Sequence, residues 1–260
     1  LPRPYRYFTV KELKTRTISA ADFRDRVVHH ALLNVIESVF EQGFIAESYA
    51  CRKHKGTHKA IELAQAYVRQ YGYFMKCDVQ KYFDNIDHAV LMDIIRASID
   101  DENILWLCQT ILDNADSIDG KGIPVGNLTS QFFANVYLDP FDHFVKKSLG
   151  VPAYIRYMDD FLIFSDIKAD LHLYRSDITA FLGQKLKLKL KEREVMIAPV
   201  SEGVSFLGFR IYKNLVRVKN KNLHRTIRRF HAKLKSYEAG KISIQELEAS
   251  TQSLIGHLRH

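Results

Sequence analysis

Residues 153–164 read AYIRYMDDFLIF, and this segment predicts the architecture of the chain around it. Two runs rich in β-branched and aromatic residues predict a β-hairpin whose connection holds Asp159 and Asp160. Adjacent carboxylates between buried strands repel each other unless a positive charge lies beside them. A divalent metal ion supplies such a charge, and oxygen ligands favour magnesium. A solvated Asp-Asp turn is the alternative that this segment alone leaves open.

A third carboxylate is predicted at the end of another strand. Residues 74–83 read FMKCDVQKYF, in which apolar residues lead to Asp78 and a turn with a helix start follows. An unpaired charge at the end of a buried strand is costly. If Asp78 lies beside Asp159, two segments far apart in sequence supply the ligands of a two-metal phosphoryl-transfer site. We expect Asp84 and Asp87 to cap the following helix rather than to act in catalysis.

Several blocks of this sequence, taken in order, resemble the reverse transcriptases, which share the palm of other template-directed polymerases. The blocks lie at residues 14–18 with 24–30, 48–52 with 55–57, 74–83, 122–139, 157–160 and 205–209. They follow one another in the order expected for that family and extend over nearly the whole chain. The resemblance therefore does not depend on one tetrapeptide.

The resemblance implies an α+β fold of the right-hand polymerase type. This fold has a ferredoxin-like palm of antiparallel strands and helices, helical fingers and a short helical thumb. The fingers are expected at residues 1–76, the palm at 77–212 with a fingers-like helical insertion near 89–121, and a basic thumb at 213–260. Leu1 in place of methionine suggests a trimmed start, and the end at His260 suggests either truncation or an unusually short thumb.

The resemblance also implies the residues of the active site. Asp78, Asp159 and the Val79 carbonyl would hold two magnesium ions, for which manganese would substitute, and Asp160 would be a weaker ligand. The residues expected at the incoming deoxynucleoside triphosphate are Lys14, Arg16, Phe83, Val125 and Gly126. Phe83 would be a steric gate, because a ring packed against the sugar leaves no room for a 2′-hydroxyl. The alternative for Phe83 is a place in the hydrophobic core.

Contacts to template and primer are expected from a basic loop, the acidic turn, a glycine in a hairpin resembling the primer grip, and a basic helix. These residues are Arg52, Lys55, Tyr157, Met158, Gly208, Arg225, Arg228, Arg229 and Lys233. A glycine in such a hairpin lets another chain approach the backbone closely. The alternatives are a solvated loop around Lys55 and a hairpin made only of core residues.

The Val125-Gly126 pair departs from the common pattern of the family, in which a glutamine precedes the glycine. The Gly-Asn-x-Thr-Ser-Gln sequence of residues 126–131 is similar to reverse transcriptases of diversity-generating retroelements, which copy a template RNA and misincorporate opposite its adenines. A branched apolar side chain cannot replace the hydrogen bonds of an amide. We therefore expect low fidelity. This resemblance further implies a structured retroelement RNA, a small basic accessory protein and a bacterial or phage-encoded enzyme of the cytoplasm.

The positive charge of the chain is concentrated at its C-terminal end. The formal net charge is +8, and residues 213–260 contain 11 Lys and Arg against three Asp and Glu. The preceding residues therefore carry equal numbers of basic and acidic groups. A neutral body with a basic appendage favours a nucleic-acid grip, and a solvated basic helix is the alternative. No apolar run approaches the length of a membrane span, so no membrane partner is expected.

Helical periodicity predicts helices at residues 24–42, 57–71 and 171–183. In the first helix, the packing positions are predicted to be Val27, Val28, Ala31, Leu32, Val35, Ile36 and Val39. Residues 186–191 alternate Leu and Lys, which predicts a strand with one basic face. In the basic tail, a stripe that runs from Leu223 to Tyr237 at 4-3-4-3 spacing predicts a docked helix.

The expected function is therefore RNA-directed DNA synthesis from a primer 3′-hydroxyl. Three alternatives stay open at this point: a group II intron-type or retron-type enzyme, a defence-associated enzyme that needs no ordinary template, and a catalytically idle RNA-binding scaffold. The scaffold is disfavoured because RNA binding alone does not require exposed paired acids such as Asp78 and Asp159.

Overall fold

The computed structural model describes residues 1–11, 15–115 and 119–258. Lys14, which was predicted to bind the triphosphate, lies outside these residues. The strands are β1 (Arg6–Lys11), β2 (Thr15–Ala20), β3 (Tyr73–Asp78), β4 (Ala153–Tyr157), β5 (Asp160–Ser165), β6 (Met196–Pro199), β7 (Val204–Phe206), β8 (Phe209–Ile211) and β9 (Val216–Val218). The helices are α1 (Phe23–Glu41), α2 (Thr57–Gln70), α3 (Tyr82–Asn85), α4 (His88–Arg96), α5 (Glu102–Asp113), α6 (Leu128–His143), α7 (Lys168–Lys185), α8 (Asn220–Glu238) and α9 (Ile244–Leu258).

A four-stranded antiparallel sheet with the order β4-β5-β3-β6 forms the centre of the fold. Successive residues of a strand point to opposite faces. In β5, Phe161 and Ile163 pack into one hydrophobic cluster, whereas Leu162 and Phe164 pack into a second one. Both faces of the sheet are therefore buried, which explains why its strands are continuous apolar runs rather than alternating ones.

The two faces of the sheet are covered by different elements. Residues of α1, α4, α5, α6 and α7 share the first cluster, and residues of α2 and of the three-stranded sheet β7-β8-β9 share the second. This layered arrangement of helices on antiparallel sheets agrees with the predicted α+β class. The strand ends that carry acids lie at one edge of the central sheet, so the layers position the site described below.

Three of the predicted helices are confirmed within a few residues of their predicted ends, as α1, α2 and α7. The predicted packing face of α1 is wrong in part. Leu32 and Ile36 are buried, but Val27 and Val35 are 55% and 57% exposed. The buried face instead includes Asp25 and His29, whose polar groups find protein partners in the Arg3 backbone N–H and the Thr129 hydroxyl. Satisfied polar groups can occupy a core face, so apolarity alone did not identify it.

The predicted strand at residues 186–191 is not a strand of a sheet, although its alternation is real. Leu186, Leu188 and Leu190 are buried while the lysines between them are exposed. The segment pairs with the chain leaving β3 through an isolated antiparallel bridge between Val79 and Leu190, and Lys191 donates its backbone N–H to the Asp78 carbonyl at 2.8 Å. Gln80 donates its backbone N–H to the Lys189 carbonyl at 2.9 Å, and the Tyr137 hydroxyl donates to the Leu186 carbonyl at 2.6 Å.

The C-terminal helices form a pair, because α8 packs against α9. α9 begins with a capping box, in which Ser243 and Glu246 exchange reciprocal bonds of 2.8 Å and 3.2 Å. The apolar stripe of α8 is not buried as predicted: Leu223, Ile227 and Tyr237 are exposed. The reason is that α8 runs alongside one helix rather than onto the layered core, which leaves much of an amphipathic surface uncovered.

The domain boundaries at 76/77 and 212/213 stay predictions. β9 extends the sheet β7-β8-β9 beyond residue 212, so the predicted thumb begins with a strand rather than a helix. None of the helices in the described ranges is both long enough and apolar enough to cross a lipid bilayer.

Candidate active site

The acidic segment forms the predicted β-hairpin. β4 and β5 pair antiparallel up to Tyr157 opposite Asp160, which leaves Met158 and Asp159 as the connection. Met158 adopts φ +58°, in the left-handed region that tight hairpin turns require. A non-glycine residue in this region is uncommon, so contacts around the turn must hold it there.

The structure brings Asp78 to the same edge of the sheet. Asp78 ends β3 directly opposite Asp160 of β5. The next residue, Val79, donates its backbone N–H to the Asp159 carbonyl at 3.2 Å. Three acids from two distant segments are thus neighbours, as the sequence predicted. Their roles as metal ligands stay predictions.

The surroundings of Asp78 disfavour its charged form. Burial raises the pKa of Asp78, and the negative charges of Asp159 and Glu194 raise it further against the opposing charges of Lys191 and Lys76. A cation placed between the carboxylates would lower these pKa values.

Asp160 differs from the other two acids because a lysine neutralises it. Lys76 Nζ donates to Asp160 Oδ2 at 2.7 Å, while burial raises the pKa of Asp160 to about 6. Its Oδ1 atom is buried and has no hydrogen-bond partner in the described part of the chain. This arrangement fits the predicted subsidiary role of Asp160.

These residues fit a magnesium site in which the protein supplies only some of the ligands. Across residues 1–11, 15–115 and 119–258, no group of three or more His, Cys, Asp or Glu side chains is arranged to enclose a metal ion. Asp78 and Asp159 offer oxygen donors only, which is the ligand chemistry magnesium prefers, and substrate phosphates commonly complete such sites. The buried Oδ1 of Asp160, which has no hydrogen-bond partner in the described part of the chain, would also suit contact with a cation. Asp78, Asp159 and the Val79 carbonyl are therefore the residues that would hold the ions.

Phe83 lies in α3, and its backbone contacts the Gly-Pro loop of residues 122–126. Its ring meets the ring of Tyr82 edge-on at 5.6 Å, and its carbonyl accepts from the Ile123 N–H at 2.9 Å. The side chain is partly buried against the first hydrophobic cluster. This packing fits the predicted place of Phe83 in the hydrophobic core, and its role as a steric gate stays a prediction.

Val125 and Gly126 contact β2, the strand that carries Arg16. Ser19 donates its backbone N–H to the Val125 carbonyl at 2.8 Å. Gly126 has φ +120°, and a Cβ atom there would lie 2.6 Å from Ile18 Cγ2. Only glycine permits this contact, so the loop fixes the position of the β1–β2 hairpin. Arg16 itself is exposed on β2.

We expect Gly126→Ala to weaken triphosphate binding, because the new methyl group must push β2 and Arg16 away. The Michaelis constant for the deoxynucleotide should rise by about tenfold, with a smaller change in turnover. Steady-state primer extension measures both constants.

Gly150→Ala is the matched control, since Gly150 also has positive φ (+63°) but no atom within 4 Å of its virtual Cβ. An equal rise of the Michaelis constant in both variants would show that backbone strain, rather than the Ile18 contact, is responsible.

Arg52 and Lys55 are engaged by the protein itself. The guanidinium of Arg52 donates to the Glu41 carboxylate at 2.8 Å and to the carbonyls of Ile45 and Ser48. Lys55 Nζ donates to the Ala46 carbonyl at 2.7 Å. The geometry gives Arg52 a role in folding the loop, and nucleic-acid contacts by either residue stay predictions.

Gly208 forms the tip of the β7–β8 hairpin, and its close neighbour is a protein side chain. With φ +90°, Gly208 would place a Cβ 2.5 Å from Asn222 Nδ2. Its carbonyl accepts from the Lys219 N–H at 3.0 Å and from Asn222 Nδ2 at 3.2 Å. The close approach that glycine permits is therefore made by the start of α8, and contact with a primer stays a prediction.

The remaining predicted contacts lie on the acidic turn and on α8. The Tyr157 hydroxyl accepts from the Thr57 hydroxyl at 3.2 Å, and Met158 is partly buried. On α8, Arg228, Arg229 and Lys233 are exposed, whereas Arg225 is partly buried. Burial and the charge of Lys76 lower the pKa of Lys219, just before α8, and the nearby charge of Asp160 opposes this shift. The start of α8 thus lies near Asp160.

Sequence reasoning missed a buried ion pair behind the turn. Arg156 of β4 and Asp142 of α6 are both fully buried and meet at 2.6 Å. The sequence indicates such a pair through Arg156 itself, an arginine inside an otherwise apolar strand, because a buried charge needs a buried partner.

The fold is that of a right-hand polymerase. It is similar to telomerase from Candida tropicalis bound to a fragment of telomeric RNA, with a TM-score of 0.65 and 12% identity over 97% of this chain and 52% of that one. It is also similar to telomerase from Candida albicans, with a TM-score of 0.61 and 11% identity over 84% of this chain and 47% of that one. These likenesses confirm the predicted fold class.

Residues 11–211 match the family described as "Reverse transcriptase (RNA-dependent DNA polymerase)", and the chain belongs to that family. It is 27% identical to protein YkfC of Escherichia coli over 84% of this chain and 68% of YkfC. It is 25% identical to the group II intron-encoded protein LtrA of Lactococcus lactis over 98% of this chain. The chain spans about half of LtrA (51%).

Proposed function

We propose that the protein is an RNA-directed DNA polymerase that extends a primer 3′-hydroxyl with deoxynucleotides on an RNA template. The observation that carries this proposal is the meeting of Asp78 and Asp159 at one edge of the sheet in a chain of the reverse transcriptase family. Template-directed polymerisation needs oxygen ligands for divalent ions at the reacting phosphate, and the carboxylates supply them.

The residues of this chain have separate roles in the proposed reaction. Asp78 and Asp159 would hold magnesium or manganese ions, which lower the pKa of the primer hydroxyl and neutralise charge on the departing pyrophosphate when bound. Lys14 and Arg16 would bind the β and γ phosphates, because a point charge and a planar guanidinium both suit phosphate oxygens. Phe83 would exclude ribonucleotides.

Lys191 is a candidate proton donor to the leaving pyrophosphate. Its backbone N–H donates to the Asp78 carbonyl at 2.8 Å, and its side chain pairs with Glu194. The hydrogen bond to Glu194 raises the pKa of Lys191, and the charges of Asp78 and Asp159 raise it further. These interactions favour the protonated form of Lys191.

A primer-extension assay on a defined RNA template, with and without magnesium, tests the proposed activity. Metal-dependent extension is expected. RNA binding without extension under any metal condition would favour the scaffold instead.

We further propose that the enzyme is of the diversity-generating retroelement type and misincorporates opposite template adenines. The support is Val125, which presents a branched apolar side chain on the loop that contacts β2. A structured RNA and a small basic accessory protein in a bacterial or phage-infected cytoplasm are the corresponding partners. The group II intron-type alternative is favoured by the similarity to LtrA.

Val125→Gln is expected to lower the misincorporation rate opposite adenine by about tenfold, since an amide restores hydrogen bonds near the nucleotide. Sequencing of the DNA made from one defined RNA measures this rate.

Val125→Ile is the matched control, because it keeps an apolar branched side chain and the main-chain bond to Ser19. An error rate opposite adenine that stays the same in Val125→Gln would contradict the proposed basis of low fidelity.

A further inference from the structure

Arg156 is fully buried behind the acidic turn, and every N–H of its guanidinium has an acceptor. Nε and Nη2 donate to the two carboxylate oxygens of Asp142 at 2.7 Å and 2.6 Å. Nη2 also donates to Ser48 Oγ at 3.1 Å, and Nη1 donates to Asn135 Oδ1 at 3.1 Å. The remaining bond runs from Nη1 to the Met158 carbonyl at 3.1 Å. A planar fork can make these bonds together because its donors are fixed relative to one another.

The bond to Met158 reaches the connection of the hairpin itself. Met158 holds φ +58°, a conformation that residues other than glycine adopt only when their surroundings impose it. Its carbonyl precedes Asp159, so the bond fixes the peptide unit from which the Asp159 side chain departs. The orientation of Asp159 therefore depends on where the guanidinium is held.

The guanidinium is held from two sides. Asp142 accepts a further bond from the Tyr154 hydroxyl at 2.7 Å, and Asn135 donates to the Ala50 carbonyl at 2.8 Å. These contacts anchor both acceptors in α6 to neighbouring segments. A charge that is buried and fully hydrogen-bonded in this way has one well-defined position.

We propose that Arg156 is a positioning residue, whose hydrogen bond to the Met158 carbonyl holds the hairpin connection so that the Asp159 carboxylate lies beside Asp78. This inference rests on the proposed polymerase function, in which Asp159 acts with Asp78. It predicts a defect in turnover rather than in substrate affinity, because Arg156 lies beneath the turn and is inaccessible to nucleotide.

Arg156→Lys is the test variant. It keeps the buried positive charge opposite Asp142, but a single ammonium cannot reach Asp142, Asn135 and Met158 from one point. We expect turnover at saturating deoxynucleotide to fall by about tenfold to a hundredfold, since a misplacement near 1 Å has effects of this size. The Michaelis constant for deoxynucleotide should change by less than about threefold.

Ser48→Ala is the matched control. It leaves one N–H of the same guanidinium without an acceptor, and so destabilises the same network, but it keeps the bond to Met158. We expect a lower unfolding temperature with wild-type turnover in this control.

A second readout does not depend on catalysis. The affinity of the protein for manganese alone can be measured through the relaxation of water protons. This affinity should fall in Arg156→Lys and stay unchanged in Ser48→Ala. If Arg156→Lys does not fold, the double variant Arg156→Gln with Asp142→Asn removes both buried charges together and should show the same loss of turnover.

The outcomes separate this inference from the proposed function. A wild-type protein that does not extend primers would overturn the proposed function. If the wild-type protein extends primers, but Arg156→Lys and Ser48→Ala have equal turnover and equal manganese affinity, the positioning role is wrong. The polymerase assignment then stays intact.

Discussion

Asp159→Asn should reduce the rate of primer extension by at least about a thousandfold while the fold and RNA binding persist. Asparagine keeps the shape of the side chain but removes the charge that a divalent ion requires. The backbone bond from Val79 to the Asp159 carbonyl at 3.2 Å does not involve the side chain and should survive. Single-turnover extension, thermal unfolding and fluorescence anisotropy with labelled RNA measure the three quantities.

The control for this substitution is Asp166→Asn, just beyond the opposite end of β5. Asp166 accepts the Gly72 N–H at 2.9 Å, and an asparagine oxygen can accept the same bond. Near-normal extension by Asp166→Asn is therefore expected. If Asp159→Asn extended primers within about tenfold of the wild-type rate, the assignment of Asp159 as a metal-binding acid would be wrong.

Phe83→Ala should reduce discrimination against ribonucleotides by about one to two powers of ten. The ring is predicted to occupy the space that a 2′-hydroxyl would need, and alanine would open that space. Deoxynucleotide incorporation should be affected much less. The measurement is kcat/KM for a deoxynucleotide and for the ribonucleotide of the same base.

A graded variant distinguishes the gate from a core residue. Phe83→Leu retains much of the apolar volume that packs against the first hydrophobic cluster, but it has no ring to oppose the sugar. A gate predicts intermediate discrimination with stability near that of the wild type. If Phe83 serves only the core, Phe83→Ala will lower the unfolding temperature and reduce the efficiency of both nucleotides equally.

The hairpin and the strand before Asp78 could be predicted from sequence because local patterns specify them. Their apolar runs are short, rich in aromatic and β-branched residues, and end in acids. Asp78 and Asp159 could be expected to meet because the family resemblance supplies the pairing of their strands. Periodicity alone contains no information on which strands are neighbours.

The features that sequence reasoning missed are set by tertiary contacts. Val27 and Asp25 lie on the same helix, and hydrophobicity predicts that Val27 is buried and Asp25 exposed. In the structure Val27 is exposed and Asp25 is buried. Arg52 has the basic loop context of a nucleic-acid contact, yet protein carbonyls and Glu41 surround its guanidinium. A partner distant in sequence decides each case, and propensity does not identify that partner.

The outer edge of β4 has a consequence for solubility. β4 is the last strand on its side of the central sheet, and residues 47–49 cover part of that edge. Arg156 donates its backbone N–H to the Glu47 carbonyl, and its own carbonyl accepts from Tyr49, each at 2.9 Å. An uncovered apolar edge strand is a template for intermolecular β-pairing and aggregation. Displacement of residues 47–49 should therefore make the protein self-associate before the remainder of the sheet unfolds.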